Sequence, residues 1–546
     1  MLLTMKRILC IMLLTTLFFQ SYAGIANYEV VPLPQSIKLV KGQGFSLTDG
    51  TLIVYAGTDE AMQRNAHFLA QYFKSMTNKE VSVTNDRRAK NGCIVLALDK
   101  KLKGDEAYHI SVSNKSIRVT GKTPKGVFYG IQTLRKSLAE EIHQDAIVFP
   151  AVEIDDEPRF GYRGMMLDCA RHFFPVSFVK KFIDLLALHN MNTFHWHLTD
   201  DQGWRIEIKK YPELTKIGSV RQRTVIGRDS DLDDGTPYGG YYTQEEAREI
   251  VEYARQRHIK VIPEIDMPGH MMAALATFPE LGCTGGPYEV GFGWGIYLDV
   301  LCLGNEKIYP FLEDIIDELV PIFPAKEFHI GGDETPRDYW KVCPKCQALA
   351  KREGIDTHQL QAYFTKRMEK YLNSKGKIII GWDEILEGDI NPSATIMSWR
   401  GVSNGNKASA DGHDVIMSPT EFAYFDYYQT DQTRNEPMAW GGCLPVEKVY
   451  SFDPAPDSLS AKAKQHIIGA QANLWTEYIP YSQQAEYMLL PRMAAMAEVQ
   501  WMPVSQKNYQ AFVKRLYRLA KVYDHEGYIY ALHLWPERYH FNRNRW

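Results

Sequence analysis

The sequence predicts an α/β fold in which a (β/α)8 TIM barrel follows a smaller α+β domain. Three observations lead to this prediction. Eight apolar segments after residue 158 have the length of buried strands, amphipathic helical patterns separate several of them, and acidic and tryptophan residues recur where the strands end. Because all strand ends of a TIM barrel meet at one mouth, we expect those polar residues to converge there.

Length and composition are compatible with this fold. The chain has 546 residues, of which 45% are hydrophobic and 23% are charged, as in ordinary globular proteins of more than one domain. The formal net charge of −4 gives no indication of binding to nucleic acid or to another polyanion.

Residues 1–23 have the pattern of a secretory signal peptide. A basic pair precedes an apolar stretch at 8–19, and the small residues Ser21 and Ala23 stand at the positions that determine cleavage. The stretch is shorter than the ~20 residues of a spanning helix, although a retained anchor is the competing interpretation. We therefore expect export to the periplasm or out of the cell, with no membrane span after removal of the signal.

Residues 24–157 predict the smaller α+β domain. Short β-like runs, such as 51–55 and 116–120, alternate with helical stretches at 60–75 and 126–139. The acidic, proline-containing segment that ends at Pro158 indicates a boundary, so the barrel and its C-terminal helices are expected over 158–546.

The barrel domain shows the repeating order of strand, loop and helix. Amphipathic patterns predict helices at 176–189, 243–258, 309–322 and 358–374, and the second begins with a capping box formed by Thr243 and Glu246. The candidate strands cover residues 162–168, 193–199, 260–266, 327–331, 377–382, 394–399, 414–418 and 466–475.

The most informative motif is the segment His329-Ile-Gly-Gly-Asp333-Glu334, in which two acids follow an apolar strand. Gly331 and Gly332 allow a sharp turn or the close approach of a ligand. Burial beside a second acid raises a carboxyl pKa towards neutrality, as a general acid requires. Taken alone, the motif is equally compatible with a solvated acidic pair in a loop.

The other strand ends carry residues suited to a sugar. The C–H faces of a pyranose stack on aromatic rings, and its hydroxyls bond to charged groups. Singly, each residue has a simpler explanation as a structural ion pair or a core aromatic, but their recurrence at strand after strand favours a carbohydrate site. The candidates are Arg171, Asp200, His270, Trp382, Trp399, Tyr424, Asp426, Trp475 and Glu477.

Asp333 and Glu334 do not suit the usual arrangement of two catalytic carboxyls. Most glycosidases place the two carboxyls on opposite sides of the scissile bond, whereas neighbouring residues at a strand end point in different directions. A substrate with a 2-acetamido group carries its own nucleophile, the carbonyl oxygen of that group. The enzyme then needs one general acid and one carboxylate that orients the acetamide, which an adjacent Asp-Glu pair can provide.

Four motifs together resemble glycoside hydrolase family 20, the β-N-acetylhexosaminidases. They are long, specific and in the family's order, and they cover residues 163–172, 195–204, 263–270 and 329–334. The N-terminal α+β domain is also similar to the accessory domain of that family. The resemblance implies retention at the anomeric carbon and requires neither a cofactor nor a metal.

The resemblance also implies a role for each candidate residue. Glu334 would be the general acid and base, and Asp333 would orient the acetamide and stabilise a cyclic oxazolinium intermediate. Tyr424 would bond the acetamido carbonyl. Trp382, Trp399 and Trp475 would form a box around the N-acetyl methyl group. Arg171, Asp426 and Glu477 would bond the outer hydroxyls of the sugar. Asp200 and His270 would form a network behind the acid.

The expected function is hydrolysis of terminal, non-reducing β-linked GlcNAc or GalNAc in an oligosaccharide or glycoconjugate by an exo-acting enzyme. One alternative is release of a disaccharide in the manner of a lacto-N-biosidase. A second is a metal-dependent barrel hydrolase that uses His195, His197, His270 and Asp333, and a third is a non-catalytic glycan-binding protein. The natural glycan, the preference between GlcNAc and GalNAc and the oligomeric state stay open.

The cysteines and two histidines present further metal or disulfide candidates. Cys343-Pro-Lys-Cys346 resembles half of a zinc site, but no second pair follows at finger-like spacing, so we expect no zinc. A disulfide between Cys283 and Cys302 is expected across a Gly-rich loop in an oxidising compartment. The alternation His195-x-His197 would place both imidazoles on one face, where hydrogen-bonded histidines are a simpler expectation than a metal.

Overall fold

The computed structural model describes residues 24–86, 91–138, 140, 147–228, 230–388 and 390–535. The predicted signal peptide lies outside the described residues, so export stays a prediction. Within these ranges no helix combines the length and apolar character needed to cross a bilayer. The described residues form two compact units, one of residues 24–28 and Ser36–Asp155, the other of Glu29–Gln35 and residues 156–535.

The first unit is an α+β structure in which two helices, Glu60–Thr77 and Pro124–Lys136, pack beside a sheet. Asp59 begins the first helix, because its side chain accepts the free amides of the first turn. The strands of a seven-stranded sheet have the order Ser36–Leu39, Val152–Asp156, Tyr108–Val112, Ser116–Gly121, Cys93–Leu98, Leu52–Tyr55 and Ser82–Thr84. The strands of a second, three-stranded sheet have the order Gly24–Ile25, Ile147–Phe149 and Phe45–Leu47.

The second unit contains a closed barrel of eight parallel strands, as predicted. Each strand pairs with the next in sequence, and the last pairs with the first, so Tyr162 lies opposite Gly469. The strands are β1 (Tyr162–Asp168), β2 (Thr193–His197), β3 (Lys260–Glu264), β4 (Glu327–His329), β5 (Ile378–Trp382), β6 (Thr395–Ser398), β7 (Val415–Met417) and β8 (Ile467–Leu474).

Helices follow the strands as expected, with one difference. Thr243 and Glu246 form the predicted capping box, with both reciprocal bonds present. Between β5 and β6 the described residues form only a 3-10 helix, Asp383–Glu387. The α-helices of this unit are Val176–Leu188, Glu213–Lys216, Gln244–Gln256, Met272–Thr277, Ile308–Leu319, Asp338–Val342, Pro344–Glu353, Leu360–Ser374, Val402–Asp411, Thr420–Ala423, Val446–Ser451, Ala461–His466, Ser482–Leu489, Arg492–Trp501 and Tyr509–Glu526.

Shorter elements complete the second unit. Two small hairpin-like pairs join Thr199–Asp200 to Gly203–Trp204 and Val220–Arg221 to Tyr238–Gly239. The remaining 3-10 helices are Pro279–Leu281, Thr433–Asn435 and Val504–Gln506.

The barrel interior is filled by side chains and changes from apolar to polar along its axis. An apolar cluster includes Tyr162, Ile262, Ile380, Met397 and Ile416, all buried. Towards the carboxyl ends of the strands the interior side chains become charged or aromatic. The barrel is therefore a packed core whose polar end faces the mouth.

Closure of the barrel depends on a glycine at the β1–β8 seam. A Cβ atom added to Gly469 would overlap the backbone carbonyl of Tyr162, whereas Gly161, just before β1, has open space on that side. We expect Gly469→Ala to lower the free energy of unfolding by about 1–3 kcal/mol, because overpacking forces the backbone to move. Urea unfolding followed by tryptophan fluorescence measures this, with Gly161→Ala as the matched control; equal stability of the two variants would contradict the prediction.

Candidate active site

The two adjacent acids lie on a tight turn directly after β4. The turn uses left-handed backbone at Gly331 (φ 65°), Gly332 (φ 93°) and Glu334 (φ 45°). A Cβ atom on Gly331 would overlap the Asp266 carboxylate, and the Gly332 amide donates to Asp266 Oδ1 at 3.1 Å. The predicted role of these glycines in a sharp turn is confirmed, and Asp266 at the end of β3 holds the turn in place.

His270 links the two acids to a second pair of carboxylates. Its Nε2 atom lies 3.8 Å from Asp333 Oδ2 and 3.7 Å from Glu334 Oε2. On the other side of the ring, Nδ1 lies 3.2 Å from Asp200 Oδ1 and 3.0 Å from Asp201 Oδ2. Although burial alone would lower it, these aspartates hold the pKa of His270 well above its usual value. The shift favours the cationic form of the ring.

The two acids differ in environment, as their predicted roles require. Burial, and secondly the charge of Asp333, raise the pKa of Glu334, whose side chain is 37% exposed at the cavity. Asp333 is buried, and among the described residues its Oδ1 atom has no hydrogen-bond partner. Glu334 is thus placed to exchange a proton, and Asp333 to accept a hydrogen bond from a bound molecule.

A chain of charges continues from Asp200 into the barrel. Arg171 Nη2 lies 3.0 Å from Asp200 Oδ2, and the same oxygen lies 2.9 Å from His197 Nε2. His197 Nδ1 in turn contacts Glu264 Oε2 at 2.5 Å. Glu264 and Asp200 raise the pKa of the His197 ring well above its usual value, against the opposing effect of burial.

Glu264 occupies the centre of this buried network and was not singled out from the sequence. His195 Nε2 and His329 Nδ1 each lie 2.9 Å from its carboxylate, and Trp382 Nε1 donates to it at 2.9 Å. Burial would raise the pKa of Glu264, but the three surrounding imidazoles hold it well below the usual value. The predicted alternation of His195 and His197 places both rings on this carboxylate.

A cavity of about 230 Å³ opens beside Asp333 and Glu334. This volume lies below the 300–1,000 Å³ of sites for drug-sized ligands and suits a single sugar ring. The cavity is lined by Arg171, Gly295, Asp333, Glu334, Trp399, Thr420, Tyr424, Asp426, Tyr427, Trp440, Trp475 and Glu477.

The predicted tryptophans take two different positions. Trp399 and Trp475 line the cavity with Tyr424, whose ring stacks near that of Trp399 at a centroid distance of 6.2 Å. Trp382 is buried behind this wall, with its ring centroid 5.7 Å from that of Trp475. Trp382 therefore supports the wall, and Asp200 and His270 likewise lie behind the lining residues.

Asp426 and Glu477 lie at the cavity with capacity to accept hydrogen bonds. Within the described chain, Asp426 Oδ1 and Glu477 Oε2 lack hydrogen-bond partners although both atoms are buried. Burial, and next the charge of Glu477, raise the pKa of Asp426. Buried acceptors without donors favour a ligand that brings hydroxyl groups.

Several residues that line the cavity or contact its lining were not predicted from the sequence. Trp440 follows no strand directly, so the strand-end criterion could not find it, and its only local signal is the pair of glycines after it. Tyr427 directly follows the predicted Asp426 but was not singled out. Glu384 lies in the 3-10 helix after β5 and accepts from Trp399 Nε1 at 2.9 Å. Burial and the charge of Asp333 raise the pKa of Glu384 to about 8.

The predicted disulfide between Cys283 and Cys302 is wrong. Both thiols are free. Cys346 Sγ lies 3.8 Å from that of Cys283 and 3.7 Å from that of Cys302. The loop brings Cys283 and Cys302 to the Cys343–Cys346 segment, for whose cysteines the sequence analysis predicted no partner.

Family profiles match both units. The profile of the glycosyl hydrolase family 20 catalytic domain matches residues 160–504, and that of domain 2 of the same family matches residues 27–157. The chain belongs to glycosyl hydrolase family 20. The resemblance found in the four motifs is thereby confirmed.

Named relatives in family 20 include two bacterial proteins. A beta-hexosaminidase of Porphyromonas gingivalis is 43% identical over 518 residues, which cover 93% of this chain and 65% of the relative. The chain thus spans less than two thirds of that protein. A beta-hexosaminidase of Vibrio furnissii is 36% identical over 86% of this chain and 76% of its own length.

Solved family 20 structures share the fold. The beta-N-acetylhexosaminidase of Streptomyces coelicolor superimposes with a TM-score of 0.79 at 31% identity, covering 92% of this chain and 97% of that one. An exo beta-N-acetylglucosaminidase of Vibrio harveyi in complex with N-acetylglucosamine gives a TM-score of 0.80 at 32% identity, covering 93% and 79%.

The pKa values of the two barrel histidines, His195 and His197, are shifted in opposite directions. Burial, reinforced by the charge of His329, lowers the pKa of His195 to about 4, whereas that of His197 is raised. Nitrogen-detected NMR of histidine-labelled protein should show His195 neutral and His197 protonated at pH 7, with His195→Gln and His197→Gln for assignment. His197 then stabilises the fold fully below its unfolded pKa of about 6.5, and this stabilisation is lost as pH rises through the raised folded pKa. A neutral His197 at pH 7 would contradict the prediction.

Proposed function

We propose that the protein is an exo-acting, retaining β-N-acetylhexosaminidase that releases terminal, non-reducing β-linked GlcNAc or GalNAc from oligosaccharides or glycoconjugates. One observation carries the proposal: Glu334 and Asp333 share the His270 cation at the edge of a cavity sized for one sugar. The relatives named beta-hexosaminidase and the Vibrio harveyi complex with N-acetylglucosamine support the choice of sugar.

In the first step, the carbonyl oxygen of the 2-acetamido group attacks C1 while the bond from C1 to the leaving oxygen breaks. Glu334 gives its proton to that leaving oxygen, and the raised pKa of its carboxyl favours the protonated form that this step needs. Asp333 accepts the acetamide N–H through its unpartnered Oδ1 and balances the positive charge of the oxazolinium ring. Tyr424, on the cavity wall, bonds the attacking carbonyl oxygen.

In the second step, water attacks C1 and the acetamide carbonyl leaves. Glu334, now a carboxylate, takes a proton from that water and returns to its starting state. Two displacements at C1 give net retention. His270 stays protonated throughout and keeps the carboxylates of Asp333 and Glu334 on the same side of the cavity.

The remaining lining residues bind the sugar. Trp399 and Trp475 offer aromatic faces, and Arg171 with Asp426 and Glu477 bonds the outer hydroxyls. Trp382 does not line the cavity and positions the ring of Trp475, against which it packs. A cavity of about 230 Å³ favours release of a single sugar over the disaccharide that a lacto-N-biosidase releases.

Participation of the acetamide is tested by two aryl glycosides with the same leaving group. We expect kcat/KM for the aryl β-GlcNAc to exceed that for the aryl β-glucoside by on the order of 10³-fold or more, because an intramolecular nucleophile has a very high effective molarity. Equal turnover of the two would rule out the proposed chemistry. The products released from oligosaccharides that end in GlcNAc, GalNAc or lacto-N-biose are identified in parallel. Release of a disaccharide would favour the lacto-N-biosidase alternative.

Glu334→Gln tests the proton donor. We expect kcat to fall by roughly 10²–10⁴-fold for poor leaving groups and much less for an activated aryl group, which needs little protonation. In the native protein kcat/KM should fall as pH rises through the raised pKa of Glu334, since the acid form is required, and the variant should lose this basic limb.

Asp338→Asn is the matched control for this variant, because Asp338 is an exposed acid four residues after Glu334. It should keep the native rate, leaving-group dependence and pH profile. A Glu334→Gln protein that loses the same factor for every leaving group would show that Glu334 is not the proton donor.

A further inference from the structure

Four cysteines from three separate segments converge at one place in the barrel unit. Cys283 and Cys302 border the Gly-rich loop after β3, and Cys343 and Cys346 lie after the catalytic turn of β4. All four sulfurs lie within 4.8 Å of one another. The cluster contains none of the residues assigned to the sugar site, so the proposed function gives no account of it.

Three of the six distances between the sulfurs match the edges of a tetrahedral metal site. Sulfur separations are 3.8 Å for Cys283–Cys346, 3.6 Å for Cys302–Cys343 and 3.7 Å for Cys302–Cys346. A tetrahedral site with Zn–S bonds of about 2.3 Å has S···S edges of about 3.8 Å. The sulfurs of a disulfide lie about 2.05 Å apart, so none of these separations is a disulfide distance.

The backbone around the cluster is shaped to bring the thiols together. Gly282 and Leu301 form an antiparallel bridge, which holds the segments of Cys283 and Cys302 together, with Cys302 opposite Leu281 and the two sulfurs within 4.8 Å. Gly304 packs against the Cys343–Cys346 segment, where an added Cβ would overlap the Lys345 carbonyl and lie 2.5 Å from the Cys346 amide. This close approach requires glycine at position 304, and it holds Cys302 beside Cys343 and Cys346.

The environment of the cluster suits thiolates. Cys343 is the N-cap of the ten-residue helix Pro344–Glu353 and Cys346 lies in its first turn, so both thiols are at the positive end of the helix dipole, which favours negative charge. Cys302, Cys343 and Cys346 are buried, while Cys283 is partly exposed. Three buried ligands and one partly exposed ligand provide a closed site with an entry path.

We propose that Cys283, Cys302, Cys343 and Cys346 bind one Zn²⁺ ion as a closed, structural tetrathiolate site. Binding replaces the thiol protons by four S–Zn bonds, releases those protons to solvent and involves no oxidation. With all four positions taken by sulfur, the ion has no open position for water and no part in hydrolysis.

The ion would fix the base of a loop whose tip forms part of the sugar cavity. Gly295 lines that cavity, and Gln202, which bonds Arg171, donates to the Gly293 carbonyl at 2.9 Å. The Gly291 amide donates to the Asp201 carbonyl at 2.8 Å. The site would thus tie the loop after β3 to the segment that follows Glu334.

Metal content and thiol count test the proposal without substrate, so their outcome is independent of the proposed function. The full chain is purified without a histidine tag, reductant or chelator, and its metals are measured by inductively coupled plasma mass spectrometry. We expect one zinc ion per chain, retained on dialysis and released by a mercurial. Six additional titratable thiols should appear after denaturation in EDTA, four from the cluster and two from the buried Cys93 and Cys169.

The double variant Cys343→Ser/Cys346→Ser should lose the zinc, while Cys443→Ser, at an exposed cysteine outside the cluster, should retain it. Release of zinc from the native protein should open residues 284–301 to chymotrypsin. Absence of zinc from the native protein, or four thiols consumed in two disulfides by intact mass, would overturn the proposal. Full zinc content in the double variant would overturn it as well.

Discussion

The structure of the candidate active site depends on one shared cation. Asp200, Asp201, Asp333 and Glu334 bring four carboxyl groups to the same small volume, and His270 lies between the two pairs with one ring nitrogen towards each. Like charges at such distances repel strongly where water is excluded. The imidazolium offsets this repulsion. It lowers the pKa of Glu334, but burial and the charge of Asp333 outweigh it and keep that pKa raised.

The barrel supports this cation through a second, deeper charge centre. Glu264 holds three imidazoles and the Trp382 indole, and through His197 it connects to Asp200 and Arg171. A buried carboxylate is stable only with such partners. Because Trp382 is held by Glu264 and packs against Trp475, the same centre also positions the aromatic wall of the cavity.

Two loops outside the barrel depend on a glycine that allows close packing. The catalytic turn needs glycine at Gly331 because Asp266 occupies the space of a side chain, and the cysteine cluster needs Gly304 because Lys345 does so. In both places a glycine lets two segments far apart in sequence approach closely, at Gly331 against the Asp266 carboxylate and at Gly304 against the Lys345 backbone. The first contact lies in the turn that carries Glu334, and the second lies at the base of the loop that contributes Gly295 to the cavity.

The sequence alone determined the strands, the capping box at Thr243, the catalytic turn and the set of strand-end residues. Each depends on local periodicity or on a short motif, and the barrel topology converts a strand end into a position at the mouth. Tertiary structure alone decided that Trp382 lies behind the cavity wall, that Trp440 and Tyr427 line the cavity and that Glu384 bonds Trp399. It also brought Cys302 to Cys343 and Cys283 to Cys346, 41 and 63 residues away. The physical reason is that these relations are set by the direction of side chains and by contacts between distant segments, which no spacing along the chain records.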